Sequence, residues 1–235
     1  MSADLDTRYQ APEQTHWIPL ADLMTGLMMV FLLIAITYMV KVEAASRHIR
    51  EIAVLYERMK VELYDDLKRE FEKDLPRWGA ELDRDSTIRF REPDVLFPIG
   101  SSELKNNFKS ILDDFFPRYV HILDSDKYRD AVEEIRIEGH TSSIWSNLPS
   151  DQAYFQNMKL SQDRTRSSLQ YVLGLPAVRD DLSWLRGHIT ANGLSSSKTI
   201  KRPGGSEDYE RSQRVEFRVR TDAESRIATI IEADK

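Results

Sequence analysis

Between Leu20 and Val40 the chain carries no charged side chain except Asp22. At about 1.5 Å per residue, a helix over that run spans roughly 30 Å, the thickness of a bilayer's hydrocarbon core. No soluble core of ordinary size absorbs such a segment, so we read residues 17–41 as a membrane-spanning helix. Pro19 falls in the first turn, where a helix tolerates proline. Trp17 and Tyr38 lie near the two ends, as interfacial aromatics do. The preceding stretch, MSADLDTRYQAPEQTH, is acidic on balance. A cleaved export signal needs a basic start, a shorter apolar region and a small-residue cleavage site. The expectation is a retained single-span anchor behind a short segment, residues 1–16.

An ionised carboxylate within a span costs about 2.5–3.5 kcal/mol on insertion scales, so an acid kept there is read as functional. Protonated, Asp22 tolerates an apolar surface; ionised, it seeks water or a polar partner. A change of preferred contact with each ion bound or released is what an ion-driven motor requires. Against this, Asp22 lies only two residues into the run, where it can stay solvated and favour the positive end of the helix dipole. Thr25, one turn on, is a candidate polar helper for the ion, or a threonine bonded to its own backbone. Met24, Met28 and Met29 are expected to pack against partner helices rather than to hold a metal.

The remaining chain is polar: mean hydropathy over the 235 residues is −0.49. The net charge of −6 and the lack of a basic tail argue against nucleic acid as a partner. Zero cysteines removes disulfides, zinc–thiolate sites and cysteine nucleophiles. No nucleophile–base–acid set, metal constellation or phosphate loop is evident, so neither an enzyme nor a cofactor is expected. Near the span only Arg8 precedes it, whereas Lys41, Arg47 and Arg50 follow it. The positive-inside tendency alone would place the N-terminus outside.

From residue 42 to about 75 the chain is charged and nearly free of breakers. Ile49, Ile52, Tyr56, Met59 and Leu63 recur at alternating spacings of three and four, with Leu67 and Phe71 continuing roughly. We read an amphipathic helix that pairs with its copy in a second chain; the alternative is a helix lying on the chain's own globular domain. DLPRWGAELDRDS, with Pro76 and Gly79, reads as a linker ending at residue 86. An α/β pattern follows. TIRFR and EIRIEG alternate like strands, and LKNNFKSILDDFF places Leu104, Phe108, Ile111, Leu112 and Phe115 on one helical face. LSQDRTRSSLQYVLGL is a helix ended by Gly174, and LRGHITANGL and QRVEFRVRT complete the strands. The fold class is therefore a single N-terminal transmembrane α-helix and an amphipathic helix, then a β-α-β-α-β-β domain over residues 87–221. Residues 222–235 are a short helix or a tail.

DVLFPIGSSELK, IEGHTSS, NMKLSQDR and SQRVEF occur in the order, and on the elements, found in OmpA-like peptidoglycan-binding domains. The chain resembles that family from Thr87 to Arg220. The span, with ADLMTGLMMVFLL, is similar to the membrane helix of MotB-type stator subunits. Together the resemblances imply the B subunit of an ion-driven stator in the bacterial inner membrane, with the proton as the expected ion. They imply a homodimer within a ring of polytopic MotA/ZorA-like subunits, the N-terminus in the cytoplasm and the domain in the periplasm. A wall-binding domain finds its ligand only outside the membrane, and long domains translocate largely regardless of charge, so this orientation overrides the Lys/Arg count. The sparse cationic content before the span departs from flagellar subunits and resembles Zorya-type anti-phage defence complexes. A motility stator, or a purely structural tether with Asp22 incidental, are the alternatives.

Diaminopimelate in the wall's stem peptides presents carboxylate and ammonium groups close together. A receptor wants a guanidinium fork for the first and an acid or carbonyls for the second. By the resemblance Arg164 binds the carboxylate, Asn157, Leu160 and Ser161 frame it, and Arg214 sits where the family has a double arginine, in a binding or a structural role. The family's acid follows GHT, where this chain has Ser142, which supplies no countercharge. Asp151, in the long stretch after it, is a candidate replacement. His140 is given no metal role, since no second histidine lies nearby.

Overall fold

The computed structural model describes residues 17–91 and 96–221, and the chain divides between Glu51 and Ile52 into two units. Helix α1, Trp17–Phe71, begins in the first unit. Its stretch Pro19–Arg47 is long and apolar enough to cross a membrane. Leu23, Met28, Phe31 and Leu33, on different sides of the helix, are all exposed. A helix apolar all round has lipid or partner helices as its solvent. Thr25 and Thr37 turn their hydroxyls back onto the carbonyls of Ala21 (2.7 Å) and Ile34 (2.8 Å), so neither offers hydrocarbon an unpaired donor. The expected segment 1–16, the Trp17 side chain and the tail after residue 221 lie outside the described residues.

In the second unit, strands β1 (Ala80–Leu82), β2 (Ile88–Phe90), β3 (Val132–His140), β4 (Ile189–Gly193) and β5 (Arg214–Thr221) form one sheet in the order β1-β2-β5-β3-β4. Every neighbouring pair is antiparallel except β3 and β4. A parallel pair needs a crossover, and helix α3 (Ser150–Leu173) lies within the connection from β3 to β4. Helix α2 (Asn106–Leu123) joins β2 to β3. The period-2 apolar positions Ile88, Phe90, Ile135, Ile137, Val215 and Phe217 meet Phe108, Leu112, Phe115 and Tyr119 of α2, all essentially inaccessible to solvent. Edge-to-face contacts join them: Phe90–Phe217 at 5.8 Å and Phe115–Phe217 at 5.1 Å between ring centroids.

Three expectations are corrected here. The apolar seam of α1 is not free to pair along its length: Leu63, Leu67 and Phe71 are buried in the domain's own core, and Met59 packs against it. The reason is aromatic and electrostatic complementarity within the domain. Phe71 meets Phe115 (5.3 Å) and Trp78 (5.9 Å), Arg118 reaches Glu70 and Asp74, and Tyr128 donates to Asp66. The side chains of Ile52 and Tyr56 lie outside the described residues. Second, the presumed linker contains β1, which pairs with β2 from Ala80↔Phe90 to Leu82↔Ile88. Third, the strand expected over LRGHITANGL begins only at Ile189, because Leu182–His188 is a helix, α4. A one-turn helix, α5 (Tyr209–Ser212), precedes β5.

Candidate functional site

Helix α3 lies tight against the sheet at two glycines. A Cβ added to Gly139 would come within 2.7 Å of Thr165 Cγ2 and 2.8 Å of the Ser161 carbonyl oxygen. At Gly193 it would come within 2.3 Å of the Gln162 backbone nitrogen. Both glycines permit close approach of backbone to backbone, and the helical turn they admit carries Ser161 and Arg164.

Arg164 is 6% exposed. Its Nε donates to the Ser101 carbonyl (2.9 Å), one terminal nitrogen to the Pro98 carbonyl (3.3 Å), and its guanidinium stands 4.8 Å from the centre of the Phe97 ring. Among the described residues no carboxylate pairs with it, and burial pulls its pKa down to about 10. A buried cation that meets carbonyls and a ring but no carboxylate among the described residues retains the capacity to accept an anion. Arg214 differs: 7% exposed, its Nε donates to Glu216 (2.6 Å), and another nitrogen donates to the carbonyls of Lys198 and Ser212, each at 3.1 Å. It spends its donors inside the fold.

The residues expected to frame Arg164 are brought to the same end of β3. Asn157 donates to the Ile144 carbonyl (3.3 Å), and Leu160 is half-buried. Ser161 Oγ donates to the Met158 carbonyl and accepts from the Ser195 backbone N–H (3.0 Å). Ser195 has φ +52, in the left-handed region. Three bonds fix it there: that one, its hydroxyl to the Tyr154 carbonyl (2.8 Å), and Thr141 N–H to its own carbonyl (3.0 Å). Ser142, next in line, is buried. Asp151 is exposed and, among the described residues, its carboxylate accepts from the neighbouring Ser150 hydroxyl alone. The carboxylate that reaches this turn is Glu207, which accepts from the N–H (2.9 Å) and the hydroxyl of Ser143. Sequence reasoning missed it: no local motif marks a contact across 64 residues.

Behind the apolar layer, the sheet's other face is a charged ladder. Glu138 and Glu216 stand directly opposite each other, as do Arg136 and Arg218, and His140 and Arg214. His140 Nε2 lies 3.6 Å from Glu138 and 3.7 Å from Glu216, and among the described residues neither ring nitrogen has a hydrogen-bond partner. These three could converge on a cation, but Arg89, Arg136, Arg214 and Arg218 already crowd the two carboxylates. We assign no ion there. Burial alone would push Glu216 up; the facing His140 and Arg214 outweigh it and hold its pKa below the usual carboxylate range.

In the first unit Asp22 is exposed and has no partner among the described residues. Thr25 is bonded to its own backbone.

No family model matches the chain. Among solved structures, a MotB-like protein from Desulfovibrio vulgaris is 24% identical, with 70% of this chain and 94% of that chain covered and a TM-score of 0.48. The cell-wall anchor of the T6SS from Pseudomonas aeruginosa is 21% identical, with 66% and 96% covered and a TM-score of 0.46. The Zorya protein ZorB of Escherichia coli is 47% identical over 222 residues, 94% of each chain. On that identity and coverage, this chain belongs to the ZorB family.

Proposed function

We propose that the chain is the wall-anchored B subunit of an ion-driven membrane complex serving anti-phage defence. In this reading α1 crosses the inner membrane once with the N-terminus in the cytoplasm. Two copies sit within a ring of polytopic MotA/ZorA-like subunits, and the domain grips the diaminopimelate stem peptide in the periplasm. Asp22 takes a proton, loses its charge and is free to face an apolar surface. Releasing the proton restores the charge and its demand for a polar contact on the ring. Thr25, bonded to the Ala21 carbonyl, leaves its hydroxyl oxygen as an acceptor beside that path.

The observation that carries the anchoring half is Arg164: a buried guanidinium with no carboxylate partner among the described residues, which a wall carboxylate would complete. Arg214, spent on Glu216, is assigned to positioning β5. The 47% identical relative is named as a Zorya protein, which favours defence over motility. The test of the conducting half is Asp22→Asn in the full chain co-expressed with its membrane partner. The expected result is loss of at least tenfold in phage protection, with assembly and sedimentation with sacculi intact. Full protection by this variant would leave only a structural tether.

A further inference from the structure

We infer that Glu207 is the acid that receives the ammonium group of the wall ligand, in the place where Ser142 offers no charge. The inference rests on the wall-binding reading of Arg164. Ser142 is 7% exposed and neutral, and the next residue, Ser143, holds the Glu207 carboxylate through both its N–H and its hydroxyl. The charge thus stands one residue from Ser142, delivered from a distant part of the chain.

The carboxylate sits on an ordered hairpin. Lys201 bridges Glu207 in antiparallel fashion, and the Arg202 N–H meets the Ser206 carbonyl (2.8 Å). Asp208 N–H meets the Ile200 carbonyl (2.8 Å), and the Ile200 N–H meets the Ser212 hydroxyl (2.9 Å). Gly205, at φ +84, takes the left-handed position of the turn.

The two charges at this end of β3 are complementary and unspent. Among the described residues no Lys, Arg or His pairs with Glu207, and no acid pairs with Arg164. They do not pair with each other, yet a short chain of bonds links their supports. Ser161, one turn before Arg164, accepts from Ser195 N–H, and the Ser195 carbonyl accepts from Thr141, two residues before Ser143. A carboxylate offers about four lone-pair sites, so with two taken by Ser143 it retains capacity for an ammonium donor. The assignment requires a ligand whose carboxylate and ammonium span Arg164 and Glu207; a simple anion satisfies only Arg164.

The alternative is that Glu207 merely caps the Ser143 turn. Glu207→Gln separates the two, because an amide keeps the carbonyl acceptor and the shape but not the charge. The assay is co-sedimentation of the full chain, in mild detergent, with purified diaminopimelate-type sacculi, untreated or acetylated on their free amines. Glu207→Gln is expected to weaken binding about tenfold without moving the unfolding midpoint, and adding Ser142→Asp to it is expected to restore most of the loss. Wild type on acetylated sacculi is expected to fall to the level of Glu207→Gln, which itself no longer responds to acetylation. The wild-type response to acetylation stands even if the variant's fold suffers. Wild-type binding indifferent to acetylation, or unchanged by Glu207→Gln, overturns the assignment while loss of binding in Arg164→Met keeps the anchoring reading. If Arg164→Met also binds normally, the anchoring reading itself is overturned.

Discussion

Replacing Arg164 by Met tests whether this guanidinium serves the fold or a ligand. The lowering of its pKa to about 10 is a burial penalty on the charged form, worth about 3 kcal/mol at 1.36 kcal/mol per unit. Opposing it are two hydrogen bonds, one of them long at 3.3 Å, and the contact with Phe97; together these contribute roughly 3–4 kcal/mol. Removal orphans little. The Pro98 carbonyl keeps the Ser101 N–H at 3.0 Å, and Ser101 is only half-buried, so water can reach its carbonyl. The terms nearly cancel, and Arg164→Met should change stability by no more than about 1 kcal/mol. Arg214→Met should cost about 3 kcal/mol, because it strips a buried partner from Glu216. Urea unfolding of the detergent-solubilised chain, followed by tryptophan fluorescence, measures both. A soluble stem-peptide fragment at 100 times its Kd should stabilise wild type by about 2.7 kcal/mol and Arg164→Met by nothing. A loss above about 3 kcal/mol in Arg164→Met without ligand would make the residue a structural pin and refute the reasoning.

Two further outcomes follow from the same packing. Glu216 is 1% exposed with its folded pKa depressed, so its contribution is complete above the unfolded glutamate value of about 4.3 and declines as pH falls below it. Glu216→Gln should cost about 3–5 kcal/mol at pH 7, and the gap to wild type in urea midpoint should shrink between pH 5 and 3. Phe71→Ala should destabilise the domain by about 3–5 kcal/mol, independent of protein concentration; a loss that vanishes at high concentration would return the α1 seam to intermolecular pairing.

Elements whose patterns are local were legible in the sequence. The alternation of β3 and β5 and the one-sided face of α2 are set by residues a few positions apart, and the structure places them as expected. Asn157, Leu160, Ser161 and Arg164 were singled out by the resemblance rather than by spacing, and α3 carries all four. What escaped depends on distant partners. β1 is three residues long and exists only because β2 pairs with it, so its own sequence reads as linker. The seam of α1 has the same appearance whether its apolar face meets a copy or the domain, and distant partners such as Phe115, Trp78 and Arg118 decide which. The Glu207 contact joins two loops separated by 64 residues, a distance at which no spacing rule operates. The charged side of the sheet reads in sequence as solvated strand, yet Glu138, His140, Arg214 and Glu216 are all buried.

The bare contacts at Gly139 and Gly193 set how deep Arg164 sits. Since α3 touches backbone there, one methyl on either glycine has to lift the helix, and the guanidinium would rise with it toward water. Its affinity for an anion grows with desolvation, so grip would slacken before the domain unfolds. On the proposed anchoring role, changes at these two positions would surface in cells as slipping anchors rather than as missing protein.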